Sequence, residues 1–254
     1  MPDREKFLAR HTTASLHALL GGTRAVVALV PIGSTEPHGP HLGLGTDVVI
    51  SAAACVKATE MLDKRGPLVA VIAPAVSYGV TECATGFPGA VSVPAAVLTA
   101  YVAAVCDGLL AQGVRHVCLV NNHLEPAHDA AIRAAAAGRE GKVSVACPLT
   151  KKWARTLSAE FKSGACHAGQ YETSIMMAAA PELVDEAIRV VLQPVPISLS
   201  EKLAAGVTTF SAMGMELAYA GNPAGATVEE GEQQIARLAD MVVGEVREAI
   251  GLPT

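Results

Sequence analysis

Aromatic side chains are scarce in this sequence of 254 residues: one Trp, four Tyr and four Phe, 4% in all. A core short of rings has to close on small aliphatic groups, and the plentiful alanine and valine suit helices packed tightly on a sheet. Charge is also thin at 17%, and its balance of 24 acids against 19 Lys and Arg leaves a net −5. That excludes the basic footprint of a nucleic-acid partner, while 51% hydrophobic residues exclude a disordered chain. No apolar run reaches the roughly 20 residues of a membrane span. Asp3, Arg4, Glu5 and Lys6 stand where a signal peptide would need an apolar core. A cytoplasmic chain with neither membrane nor nucleic acid as partner is expected. The six cysteines, at 55, 83, 106, 118, 147 and 166, form no Cys-x-x-Cys pair and read as free thiols in a reducing compartment.

What is present is an alternation of short apolar runs with helical periodicity. Strands are expected at Ala25–Pro31, Leu68–Ala73, His116–Val120 and Lys142–Ala146. Helices are expected near 4–20, 47–64, 94–112, 126–138, 170–180 and 229–250, with 148–169 irregular around Trp153. Strand, loop and helix repeating in this way predict an α/β fold: a three-layer sandwich, mostly parallel sheet, helices on both faces, in a single domain over 1–254.

Polar residues cluster where two of these strands end. The first runs into Gly33-Ser-Thr-Glu36-Pro-His38-Gly-Pro-His41-Leu-Gly-Leu-Gly-Thr-Asp47, and the third into Asn121-Asn-His123-Leu-Glu125-Pro. Neighbouring parallel strands share a carboxyl edge, so the two loops can converge there. Glu36 and His38, like His123 and Glu125, are two residues apart, a spacing that aims both side chains to one side of an extended chain. Carboxylates and imidazoles are ligands for zinc and manganese. Individually, His41 and His128 read as structural imidazoles, Asp47 and Glu172 as helix-start acids, and Glu36 and Glu125 as solvated loop acids. Jointly they read as a metal site. Downstream lies His167-Ala-Gly-Gln-Tyr171-Glu172-Thr-Ser.

These segments resemble the creatininase family of amidohydrolases. Residues 33–47 are similar to its G-S-x-E-Q-H-G-P-H-L-P-L-x-T-D signature. The loop from Ser77-Tyr78-Gly to Phe87-Pro-Gly resembles its Y-G…F-P-G-T, and residues 121–125 its N-G-H-x-E. His167 to Ser174 resembles H-A-G-x-x-E-T-S, and the run from Gly221 resembles G-D-P-x-x-A-T-x-x-x-G. The resemblance implies two divalent metals, zinc with manganese or a second zinc, bridged by Asp47. Glu36 and His123 would hold one and His38 and Glu125 the other. It also implies a metal-bridging hydroxide as nucleophile, His167 as proton donor to the departing nitrogen, Glu172 as an orienting partner, and a catalytic role for Glu125 beside its ligand role. Trp153, Tyr78 and Tyr171 are the expected substrate-binding residues. Pro37, Asn122, Pro126 and Cys166 depart from the pattern, Cys166 standing where creatininase has a glutamate.

The implied activity is hydrolysis of a small amide C–N bond, cyclic amides included, with a homo-oligomer, commonly a hexamer, as the assembly. Formamide hydrolysis, peptide trimming and a non-catalytic metal-binding relative are the alternatives. A Cys166–His167 thiol hydrolase is a weaker one, because adjacent residues on extended chain point to opposite faces.

Overall fold

The computed structural model describes residues 3–64 and 66–253. Its helices and strands are, in chain order, α1 (Thr13–Leu20), β1 (Ala25–Ile32), α2 (Thr46–Lys64), β2 (Leu68–Ile72), α3 (Ala95–Ala111), β3 (His116–Asn121), α4 (Pro126–Ala136) and β4 (Val143–Ala146). There follow the short α5 (Lys151–Ala154) and α6 (Ala159–Ser163), then α7 (Gln170–Ala179), α8 (Glu186–Arg189), α9 (Leu199–Ala204), α10 (Phe210–Met213) and α11 (Val228–Ala249).

The four strands form one wholly parallel sheet in the order β2-β1-β3-β4. Successive residues of β1 serve opposite cores. Val27 and Leu29 pack with Ile50 and Ala54 of α2, Ile175 of α7 and Val242 of α11. Val26, Ala28, Val30 and Ile32 pack with Leu98 and Val102 of α3 and Ile132 of α4. A strand covered on both faces has no polar side to present, which is why β1 reads as an unbroken apolar run. The expected three-layer α/β fold is therefore the one observed. No helix among the described residues is long and apolar enough to cross a membrane.

The chain passes from β1 to β2 on one side and on to β3 on the other, so direction reverses between β1 and β3. Ligand sites in open α/β sheets lie at the carboxyl ends of strands at such a switch. Register aligns the two ends, with Ile32 opposite Asn121.

Two expectations change. The opening helix near 4–20 is instead two 3-10 turns, Asp3–Lys6 and Leu8–Arg10, followed by α1. Thr12 breaks it, because its hydroxyl accepts the Ser15 N–H while the Ser15 hydroxyl accepts the Thr12 N–H, a local capping box. The segment 148–169 is not irregular throughout: it holds α5 and α6, the latter started by Ser158, whose hydroxyl accepts the Phe161 N–H at 3.2 Å.

Candidate metal centre

The end of β1 reaches the start of α2 because Gly33 has no side chain. A Cβ there would lie 2.6 Å from the Val48 nitrogen and 2.7 Å from Asp47 Cβ. That close approach puts Asp47, in the first turn of α2, beside the loop carrying Glu36 and His38. An acid suits a helix N-terminus, where backbone N–H groups and the dipole favour negative charge. Glu36, His38, Asp47 and His123 are all buried.

One nitrogen of each imidazole is committed to the backbone. His38 Nδ1–H donates to the Glu36 carbonyl at 3.1 Å, and His123 Nε2–H donates to the Val80 carbonyl at 2.8 Å. Their second nitrogens turn inward. His38 Nε2 lies 3.2 Å from Asp47 Oδ1 and 3.6 Å from Glu172 Oε2. His123 Nδ1 lies 2.9 Å from Asp47 Oδ2 and 3.3 Å from Glu36 Oε1. A neutral imidazole would present a lone pair to those oxygens and repel them, so the cluster requires positive charge, as protons or as metal ions.

The electrostatics say the same. Burial disfavours charge on His38, yet Asp47, Glu172 and Glu36 outweigh it and raise its pKa to about 10. His123 is opposed by burial and raised well above its usual value by Glu36 and Asp47. Against burial, His38 and His123 hold Asp47 well below the carboxylate range. Glu172 goes the other way, pushed up to about 8 by burial although His38 opposes this.

Candidate ligand atoms fall into two overlapping sets, Glu36–Asp47–His123 and His38–Asp47–Glu172, with Asp47 common to both; a third set joins Glu36, His38 and His167. Within each set the atoms lie within 4.8 Å of one another. Asp47 Oδ2 is buried without a hydrogen bond of its own. One shared carboxylate flanked by an acid and an imidazole on each side fits two divalent cations of borderline hardness.

Glu125, the acid expected as a ligand, belongs to none of these sets. Its Oε1 accepts the Glu82 N–H at 3.1 Å and its Oε2 the Cys83 N–H at 3.0 Å. The loop after β2 supplies those donors and draws the carboxylate to the cavity wall. Glu172, expected only to orient a neighbour, is the acid grouped with His38 and Asp47. It stands on the first turn of α7 with its Oε2 accepting the Ala168 N–H at 2.6 Å. Ala168 adopts φ +51°, a left-handed turn that folds His167 back over the cluster. His167 Nε2–H donates to the Pro37 carbonyl at 3.0 Å, and its Nδ1 lies 3.8 Å from Glu36 Oε1. Burial and the neighbouring His38 lower its pKa to about 4.

These groups open into a cavity of about 260 Å³, walled by Glu36, Asp47, His123, Glu125, His167 and Glu172 and by apolar Leu124, Leu149, Leu199, Leu203 and Phe210. None of the three expected substrate-binding aromatics lines it. Trp153 turns to α11, donating Nε1–H to Glu245 and lying on Gly244. Tyr171 is buried against Phe161. Tyr78 is 53% exposed in a separate groove with Tyr101. The aromatic that does face the cavity is Phe210, its ring 4.4 Å from that of His167.

Cys166 lines the cavity, but burial and Glu172 push its thiol up to about 12 and disfavour the thiolate. His41 and His128 are structural, as read: His41 Nε2 pairs with Thr173 Oγ1 at 2.9 Å, and His128 Nδ1 accepts the Val80 N–H at 3.2 Å. Thr81, whose hydroxyl donates to Glu36, had no sequence feature beyond its place in a loop on the ligand edge.

The family model described as "Creatininase: Creatinine amidohydrolase" matches residues 10–246. The mycofactocin precursor peptide peptidase of Mycolicibacterium smegmatis is 30% identical over 235 residues, 92% of this chain and 87% of that protein. The creatinine amidohydrolase of Pseudomonas putida is 29% identical over 178 residues, 63% of this chain and 66% of that protein. Among solved structures, a creatinine amidohydrolase (creatininase) superposes with a TM-score of 0.72 at 24% identity, covering 98% of this chain and 99% of the other. A creatininase described as the Mn form gives 0.71 at 24% identity, covering 98% and 100%. The match across nearly the whole chain, on the fold and the clustered residues already described, shows that this chain belongs to the creatininase family.

Proposed function

We propose that the chain is a metal-dependent amidohydrolase cleaving the C–N bond of a small amide, cyclic amides included. The observation that carries this reading is Asp47 shared between two buried acid–imidazole sets on the floor of a cavity. Two divalent cations held there, zinc first and manganese as the alternative at one site, would acidify a water and polarise the amide carbonyl. Glu36, Asp47 and His123 would hold one, and His38, Asp47 and Glu172 the other.

The remaining work falls to groups already in place. His167, fixed by the Pro37 carbonyl through Nε2–H, can accept a proton at Nδ1 and return it to the departing nitrogen. Glu125, raised by burial and held against the backbone of Glu82 and Cys83, is the second proton carrier on the cavity wall. Leucines and Phe210 exclude water from the reacting carbonyl.

A second reading is hydrolysis of a peptide end. A groove of about 760 Å³ adjoins the cavity and shares Cys83, Glu125, Pro126 and Leu203 with it, and the similar proteins include a peptide peptidase. A small-molecule amide remains the proposed partner. The grouped, exposed Tyr78, Val97 and Tyr101 support a subunit contact and thus a homo-oligomer, and the six free thiols support a cytoplasmic setting. The test is bound-metal analysis with a panel of cyclic amides, formamides and short peptides against native protein and Asp47→Ala. The native chain should carry two metals and turn over one class, and the variant should lose both properties. A variant with two metals and native turnover overturns the reading.

A further inference from the structure

The cavity has a second neighbour, a groove of about 370 Å³ that shares Leu149, Cys166 and Ser200 with it. Its lining carries Lys151, Arg155 and Lys162 and, among the described residues, no Asp or Glu. All three cations are exposed, and among the described residues none has an ion pair. Lys152, between them in sequence, differs: it pairs with Glu248 at 2.8 Å and stacks on Trp153. In a chain of net charge −5, three unmatched cations around one concave surface are a local excess with no structural use.

The platform beneath them is firm. Phe161 of α6 is buried, Trp153 of α5 bonds to Glu245 of α11, and the Leu199 N–H donates to the Gly164 carbonyl at 2.9 Å. The last bond ties the end of α6 to the start of α9, so the wall bearing Ser200 is fixed relative to Lys162. The other groove adjoining the cavity, by contrast, is lined by Glu82 and Glu125. The two adjoining grooves thus differ in the sign of their charged lining, and of the two the one bearing Lys151, Arg155 and Lys162 favours an anion.

We propose that this groove is an anion subsite receiving a carboxylate of the amide substrate, beyond the bond that is cut. The proposal rests on the amidohydrolase reading for the identity of the site it adjoins, and it narrows the substrate class to amides bearing an oxyanion, such as a short peptide with a free carboxyl terminus. The contacts are solvent-exposed, so the expected preference over a neutral counterpart is about tenfold and falls with salt.

Calorimetry on metal-loaded protein decides it. The probes are N-acetyl-glycylglycine, its carboxamide and inorganic phosphate, each titrated at low and high ionic strength. The free acid should bind about tenfold more tightly than the carboxamide, and the difference should vanish in the triple variant Lys151→Gln, Arg155→Gln, Lys162→Gln. It should persist in Lys151→Arg, Lys162→Arg. Metal content and circular dichroism confirm that both variants are folded and loaded. Equal or undetectable binding of the two peptides overturns the proposal. So does a preference that survives in the Gln variant, which would put the carboxylate on the metals, or phosphate binding with no peptide preference, which would make the groove a free-phosphate site. If instead no amide is hydrolysed while the preference holds and is lost in the Gln variant, the catalytic reading fails and the subsite stands.

Discussion

Replacing Glu172 and Glu125 separately by glutamine distinguishes the ligand set proposed here from the one implied by family resemblance. His38 Nε2 stands 3.6 Å from Glu172 Oε2. At such spacings a unit charge is worth about 4 kcal/mol with an effective dielectric near 20. Part of that is offset, because the Glu172 carboxyl, pushed up to about 8, holds a proton at pH 7 in the metal-free cluster. Releasing one proton a pH unit below its pKa costs about 1.4 kcal/mol. The remainder, roughly 2.6 kcal/mol, corresponds to about a hundredfold in cation affinity. Titration with buffered zinc, followed by elemental analysis, should show Glu172→Gln holding one of its two metals about a hundredfold more weakly. Glu125→Gln should keep both metals and lose turnover. The native affinity should also rise between pH 6 and 8, as the metal displaces the Glu172 proton together with those on His38 and His123, and the rise should be shallower in Glu172→Gln. Full metal content in Glu172→Gln with loss of a metal in Glu125→Gln would refute the assignment.

Stability should fall in mild acid through His116. Burial holds its pKa at about 4, with its ring between the Gly141 carbonyl at 3.3 Å and Ser144 Oγ at 2.8 Å. The unfolded ring titrates near 6.5, so stability is complete above that pH and lost as the pH falls towards 4, by about 3 kcal/mol at full extent. In urea unfolding, the gap between the native chain and His116→Gln should narrow by about 2.5 kcal/mol from pH 7.5 to 4.5; a gap independent of pH would contradict it. Trp153→Phe should cost about 1 kcal/mol through the lost bond to Glu245 and leave KM unchanged, since Trp153 is turned away from the cavity. A raised KM with unchanged thermal stability would return Trp153 to the substrate site.

Much of this protein follows from its sequence alone. The runs at β1, β2 and β3 are apolar on both faces because each is sandwiched between helices, and a doubly buried strand leaves that mark in composition. Parallel connection then requires their carboxyl ends to share an edge, so Glu36, His38 and His123 were bound to approach one another. Asp47 joined them because Gly33 lets α2 begin against β1. Tertiary structure alone decided which acid completes the cluster. Spacing along one chain aimed Glu125 to the same side as His123, and family resemblance paired it with His38, but the orientation of its carboxylate is set by the Glu82 and Cys83 N–H groups, more than forty residues away. Glu172 entered through the positive φ of Ala168 and the packing of α7 against α2 and α11, neither of which is periodic in sequence. Trp153 and Tyr171 went to packing surfaces for the same reason. Local pattern determines where a side chain starts, whereas hydrogen bonds and close contacts from distant segments determine where it ends.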